Sequence, residues 1–409
     1  MSIYLISPAG HPNYGDELIA AGWLRYLAET RPETDVWLDC PNPGLATELF
    51  LGLHPRLRTT NTLWRACWEA DSTDPVIVMD KVAHLMRHFG SPSYDLGIDR
   101  IRSMESIHVL GGGYLNNLWP ANAGVVAAAD AIRSLTGAKL YATGLSVIPV
   151  LAGTEDGDGH DLIDMLRGFD HVTVRDEPSA SVLGLPLGLD DAFLAAGHEL
   201  QRGFARGGAD LVVCLQSDLQ SEAESAQVFG RAREVVQAAL AEGKTVQYVE
   251  AIPGVDRPGF DALKDLIRPE DFIPFISVWR DGLPLKQNQT WLTTRFHLHF
   301  MAAAAGNLGT AASVKEGYYD VKHGSLMNLG TGWSSTGSQE AIAAGSCSPR
   351  AAPSTFAAHL NSRMEQKRQE ALTLYPQVLA DVVLPGHPVA AVARLLRGLR
   401  SAVTPLPGS

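Results

Sequence analysis

Short apolar runs alternate with longer stretches of helical period along most of the chain. The first run, "IYLIS" at 3–7, is compact and is followed by a glycine-containing turn, the profile of a buried strand. Behind it Ile19, Trp23, Tyr26 and Leu27 recur at three- and four-residue spacing, which predicts a helix over 16–30. "DVWLDC" (35–40), "PVIVMD" (75–80), "SIHVLG" (106–111), "AKLYATG" (138–144) and "HVTVRD" (171–176) read as further strands. Helical stretches lie between them at 122–135 and 160–168. The polar, glycine-rich segment 196–209 reads as a linker.

After it the alternation restarts. "DLVVCLQ" (210–216), "TVQYVEA" (245–251) and "TWLTT" (290–294) read as strands, and "FIPFISV" (272–278) as a strand or loop. A long helix is expected over 223–242, a short one over 258–268 and another from 296. A polar helix over 356–372 and an amphipathic one over 388–402 close the chain. Strand–helix alternation of this kind predicts an α/β protein with parallel, doubly wound sheets. Two such runs of similar size predict two Rossmann-like domains facing a cleft, at 1–195 and 210–350. The remainder, 351–409, is expected as a helical tail that crosses back to the first domain. No sequence repeat relates the halves. Sheets of this type bind ligands beyond the C-terminal ends of their strands, so chemistry is sought there.

Composition narrows the classes. Of 409 residues 45% are hydrophobic, which suits large cores and excludes a disordered chain. A net charge of −12, with no basic run, argues against nucleic acid as a partner. Cys40, Cys67, Cys214 and Cys347 are far apart, so neither a zinc knuckle nor a redox pair is indicated. The sequence has no HExxH and no carboxylate ladder, and no metal is expected. The first residues lack a basic region and a long apolar core, and no apolar run is long enough to span a bilayer, so a cytoplasmic protein is expected. The segment 388–402, with Arg394, Arg397 and Arg400, could touch the inner membrane face peripherally; as a packing helix it would instead cross back over the first domain.

Five stretches at strand ends carry candidate chemistry. In "PAGHPNYGDELIAAGWL" (8–24), Asn13, Gly15 and Asp16 shape a turn in which Asp16 is a natural helix N-cap. The same residues could form a polar lip where a carboxylate accepts a hydroxyl proton. "HVLGGGYLNN" (108–117) offers Gly112 and Gly113, either as a tight turn or as bare backbone that a ligand approaches. "VRDEPSASVLG" (174–184) sets Arg175 at a strand mouth, as a surface ion pair or as an arginine aimed across the cleft. In "TTRFHLHF" (293–300), Arg295 and His297 fall at a helix N-terminus, whose N–H groups and dipole favour an anion. His299 reads as packing. "YYDVKHG" (318–324) brings Lys322, which matters only if it converges with the arginines.

In their order, "NYGDE", "GGGYL", "VRDEPSASVL" with "DDAF", "TRFH" and "YYDVK" resemble the polysaccharide pyruvyl transferase family over roughly 1–330. The resemblance implies the two-Rossmann, GT-B-like architecture of many glycosyltransferases. It implies transfer of the pyruvyl group of phosphoenolpyruvate onto two hydroxyls of a sugar or glycolipid precursor, as a ketal, with release of phosphate. Arg175, Arg295, His297 and Lys322 would then line the donor site, with His297 as acid and Asp16 as base; Asn13, Gly112 and Gly113 would contact substrate. No cofactor is expected beyond phosphoenolpyruvate as donor substrate. The partners are that donor and the acceptor, and a homo-oligomer is compatible with the sequence. Rival readings are a nucleotide-sugar glycosyltransferase on the same fold, a non-catalytic glycan-binding homologue, and a pyruvyl transferase homologue acting on a small secondary metabolite.

Overall fold

The computed structural model describes residues 2–150, 162–219, 221–313, 317–336 and 354–378. Two parallel six-stranded sheets form its frame. The first contains β1 (Ser2–Ile6), β2 (Asp35–Asp39), β3 (Leu57–Thr60), β4 (Ser106–Val109), β5 (Lys139–Leu145) and β6 (His171–Val174), in the order β3-β2-β1-β4-β5-β6. The second contains β7 (Leu211–Cys214), β8 (Val246–Val249), β9 (Phe272–Ile273), β10 (Thr290–Thr293), β11 (Leu308–Ala312) and β12 (Ser334–Thr336), in the order β12-β11-β10-β7-β8-β9. Each sheet thus winds outward from its first strand in both directions, the doubly wound order of a Rossmann fold. Every residue of β4 and β7 is buried, as expected for central parallel strands covered on both faces by helices.

Several expectations need correction. The run 75–80 is not a strand but the start of a helix, Pro75–Arg87. Asp74 caps it by accepting from Val76 and Ile77, and Pro75 suits the first turn, where its missing N–H costs nothing. Its buried residues Val78, Met79, Val82, Ala83 and Met86 keep a helical period that a six-residue window cannot reveal. The segment taken for a linker is largely helix, Ala196–Arg206, because Glu199 is buried against Arg25 (3.3 Å) and Arg202 (2.7 Å). Phe272–Ile273 is a two-residue strand, and the rest of that run is a helix, Phe275–Asp281. β3, β11 and β12 carry little apolar signal and were not foreseen.

The largest apolar cluster is shared between the domains, running from Leu18 and Trp23 to Phe300 and Met301. Phe193 and Phe300 meet edge to face at 4.8 Å within it. The helix Leu360–Leu374 packs on the first domain. Its Lys367 is wholly buried, with Nζ 2.5 Å from Asp191 and 2.6 Å from Glu370, and Tyr26 donates to the Tyr375 carbonyl (2.8 Å). The expected helix at 388–402 lies outside the described residues. No helix among the described residues is long and apolar enough to cross a membrane.

Candidate active site

Three strand ends of the first sheet supply one wall of a cleft. Past β1, the chain turns into the helix Tyr14–Thr30. Its cap is Asn13, which accepts from Gly15 N (3.3 Å), and not Asp16 as the sequence suggested. The Asn13 amide then donates to Asp16 Oδ2 (2.7 Å), so Asp16 stands in the first turn with its carboxylate held at the cleft. Past β4 come the glycines. Gly112 has φ of +146°, a region glycine alone enters readily. A Cβ on Gly113 would lie 2.8 Å from Lys322 Cε and 3.3 Å from Arg175 Nη2, so glycine there lets cations of both domains approach one backbone. Past β6 comes Arg175, whose neighbour Asp176 caps the helix Glu177–Leu183.

The second sheet supplies the opposite wall. Past β10, Arg295 occupies the N-cap position of the helix Phe296–Ala304, and His297 lies in its first turn. Arg295 Nε donates to Asp256 Oδ1 (2.9 Å), and Asp218 lies 3.6 Å away. Asp256 is fully buried and accepts the Ala251 and Ile252 N–H groups through its other oxygen, both at 2.8 Å. Lys322, on the helix Tyr319–Asn328, donates to the Tyr318 hydroxyl and lies 3.6 Å over that ring. The Tyr318 hydroxyl donates in turn to the Gly113 carbonyl across the cleft (3.0 Å).

These walls enclose a cavity of about 590 Å³, lined by Asp16, His297, Arg175, Arg295, Lys322, Asn13, Gly112 and Gly113 among others. Every residue singled out from the sequence is therefore brought to one place. Asp190 joins them. It takes a 2.5 Å ion pair from Arg175 Nη1 and lies 3.4 Å from His297 Nε2, bridging the two walls. Burial pushes its carboxyl up, but His297, Arg175 and the Ala192 N–H outweigh that and hold it well below the usual carboxylate range. Asp16 goes the other way: burial raises it against the pull of His297, Lys322 and Arg175, which suits a proton acceptor. Burial, then Arg175, brings the Lys322 ammonium well below its ordinary value. Arg175 also stacks on Phe296 at 4.4 Å.

His299 does not reach the cavity. It is buried, bonded to His323 (3.1 Å) and Thr331 (3.0 Å), and stacked on Trp333 at 4.1 Å. Burial lowers the imidazoles of both, that of His323 to about 4, so this pair is a neutral packing unit behind the site. Asp190, Asp256 and Tyr318 were not singled out from sequence. Asp190 opens the "DDAF" element, so a trace of it was present; Asp256 lies 39 residues before its arginine and carries no local mark.

Two facing Rossmann-like domains with a polar cleft between them define a GT-B-type protein. A solved structure agrees on the fold. The Neisseria meningitidis UDP-GlcNAc 2-epimerase bound to UDP-GlcNAc matches 90% of this chain and 100% of its own, at 8% identity and a TM-score of 0.51. The S. aureus MnaA–UDP structure matches 100% and 99%, at 10% identity and a TM-score of 0.49. At 8% identity the first of these likenesses is one of fold. No curated protein matches significantly. Residues 13–306, well over half of the chain, match the family model described as polysaccharide pyruvyl transferase. The chain belongs to that family, a family of transferases.

Proposed function

We propose that the cleft transfers the pyruvyl group of phosphoenolpyruvate to two hydroxyls of one sugar, releasing phosphate. The observation that carries this reading is the convergence of Arg175, Arg295 and Lys322 from both domains beside the His297 imidazole and the Asp16 carboxylate. A small donor bearing a carboxylate and a phosphate needs several cations within a few ångströms, and guanidinium forks suit both groups. His297 delivers a proton to the methylene carbon, which leaves carbon 2 electrophilic. The first sugar hydroxyl adds there and gives its proton to Asp16. The carbon–oxygen bond to phosphate breaks, with the departing charge met by the cations. The second hydroxyl then closes the ketal. In balance, the two hydroxyl protons end on the new methyl group and on phosphate. The raised Asp16 carboxyl fits the task of proton acceptor.

A thermal-shift titration with phosphoenolpyruvate, beside a panel of nucleotide sugars, tests the donor. A ligand that binds only the folded state raises the midpoint by mass action. A shift with phosphoenolpyruvate that disappears in Arg295→Ala is expected. A shift with a nucleotide sugar alone would replace this reading by glycosyl transfer. For the acid, His297→Ala should lower turnover far more than donor affinity; equal loss of both would make His297 a binding group.

A further inference from the structure

The donor chemistry uses only part of the cavity. Its ionised lining groups, Asp16, Arg175, Asp218, Arg295 and Lys322, are those already described. The same cavity is also lined by three indoles, Trp64, Trp68 and Trp119. A three-carbon donor leaves most of a ~590 Å³ cleft free, and cavities of this size commonly hold much larger ligands.

The aromatic groups are connected to the reacting groups through contacts. Trp68 packs on Trp64 at 5.8 Å, and Trp64 on Tyr114 at 5.7 Å. Tyr114 lies against Gly112, where a Cβ would be 3.8 Å from Asp16 Oδ1. Trp119 meets Tyr318 edge-on at 6.0 Å, and Tyr318 carries Lys322. Trp64 and Tyr114 are buried pillars, whereas Trp68 is 47% and Trp119 37% exposed. Large exposed indoles beside a polar site mark a binding surface more often than idle surface. Among the described residues, neither the Trp68 nor the Trp119 indole N–H has a protein acceptor, while Trp64 spends its own on the Asp39 carbonyl (3.1 Å).

We infer that Trp68 and Trp119 bind the non-reacting part of the acceptor, and that this part is an uncharged oligosaccharide. An apolar ring face beside a free N–H matches a pyranose, which pairs C–H faces with hydroxyl edges. A hydrocarbon chain would leave the N–H groups unmet. The lysine and arginines of the lining, Arg175, Arg295 and Lys322, are taken by the donor, so a diphosphate linker lies beyond the indoles, outside the cleft. The assignment rests on the reading that these cations take the donor and Asp16 faces the reacting sugar.

The test is binding of full-length protein to an array of neutral, acidic and diphosphate-bearing oligosaccharides, with phosphoenolpyruvate present. Wild type is compared with Trp68→Ala, Trp68→Phe and Trp119→Ala. Expected is retention of neutral oligosaccharides, a loss of about tenfold or more in each alanine variant, and partial recovery in Trp68→Phe. The phosphoenolpyruvate thermal shift should stay intact in all of them, which also reports folding. Retention of charged glycans only, retention of no glycan, equal binding by the alanine variants, or indole-dependent binding of alkyl-chain probes in place of sugars would each overturn the inference. If the indole-dependent sugar binding holds while phosphoenolpyruvate gives no shift, the sugar subsite stands and the donor reading falls.

Discussion

Gly15→Ala tests the proposed proton donor, His297, with one methyl group. Gly15 lies in the first turn of the helix Tyr14–Thr30 and has no unusual φ, so alanine is acceptable to the backbone. Its Cβ would stand 2.8 Å from both Cε1 and Cγ of His297, with Nδ1 nearer still. Ordinary contact begins near 3.4 Å, so the ring must withdraw by about 1 Å. Alanine favours the helix by up to ~1 kcal/mol, whereas overpacking costs ~1–3 kcal/mol, so the fold should survive with a modest loss. A 1 Å misplacement of a catalytic group costs roughly 100-fold in rate. We expect kcat to fall by about that factor, while donor affinity changes only a few-fold because the arginines are untouched. The assay is phosphate release under saturating donor, with phosphoenolpyruvate binding followed separately by thermal shift. The double variant Gly15→Ala/His297→Ala should be no slower than His297→Ala alone, since both remove the same group. Wild-type turnover in Gly15→Ala, or losses that multiply in the double variant, would refute His297 as the acid.

Two further predictions concern protons. Lys322 is below its ordinary range through burial and Arg175, so donor affinity should weaken as pH rises through a point lower than that of an exposed lysine. Lys322→Arg stays charged and should remove that limb; a limb of unchanged midpoint would exclude Lys322 as its source. Glu370 is 14% exposed, and burial raises its carboxyl, but bonds from His171, Lys367 and Thr173 bring it down to about 2 from 4.5. A depressed carboxyl stabilises above the unfolded value, so its contribution, of order 3 kcal/mol, is present above about pH 4.5 and lost as pH falls toward 2. Urea unfolding of Glu370→Gln against wild type should show a gap at pH 7 that closes near pH 2; a gap of constant size would contradict the linkage.

What could be read from sequence follows from how local each signal is. The buried strands β1, β4, β5, β7 and β10 are apolar runs that declare themselves, and the glycine turn, the "TRFH" run and Arg175 each stand at a strand end. Pattern alone therefore located Asp16, Gly113, Arg175, Arg295 and His297 on the same edge of two sheets. Pro75–Arg87 failed because its apolar start hides its period; the informative marks were Asp74 and Pro75, a cap and a first-turn proline. Ala196–Arg206 failed because glycine and charge suggest a loop, whereas a buried ion-pair cluster at Glu199 holds it as helix. The carboxylates that orient the arginines were beyond reach for a different reason. Arg175–Asp190 and Arg295–Asp256 are tertiary pairs, and nothing in the residues beside Asp256 distinguishes it from surface aspartate.

The adjacent pair Asp190 and Asp191 shows how stability and chemistry are divided at this cleft. Asp190 belongs to the first domain yet lies 3.4 Å from His297 of the second, while its other oxygen holds Arg175. Asp191, one residue on, turns into the core. Its Oδ2 accepts from Trp23 Nε1 (2.8 Å), Gly111 N (2.9 Å) and Thr143 (2.8 Å), and its Oδ1 meets the buried Lys367. Removing one partner of such a buried pair leaves a charge uncompensated at a cost of ~3–5 kcal/mol, so the Asp191–Lys367 contact links the helix Leu360–Leu374 to the first domain. That tie also fixes the backbone on which Asp190 stands and the first glycine of the loop facing Lys322 and Arg175. The proposed acid, His297, and the proposed base, Asp16, stand on different domains, so their spacing depends on how the two domains pack. The Asp190–Asp191 step is where the contact between the domains, the arginine pair and the helix Leu360–Leu374 are joined through consecutive residues. The geometry of the reacting groups therefore depends on a helix that never touches the cavity.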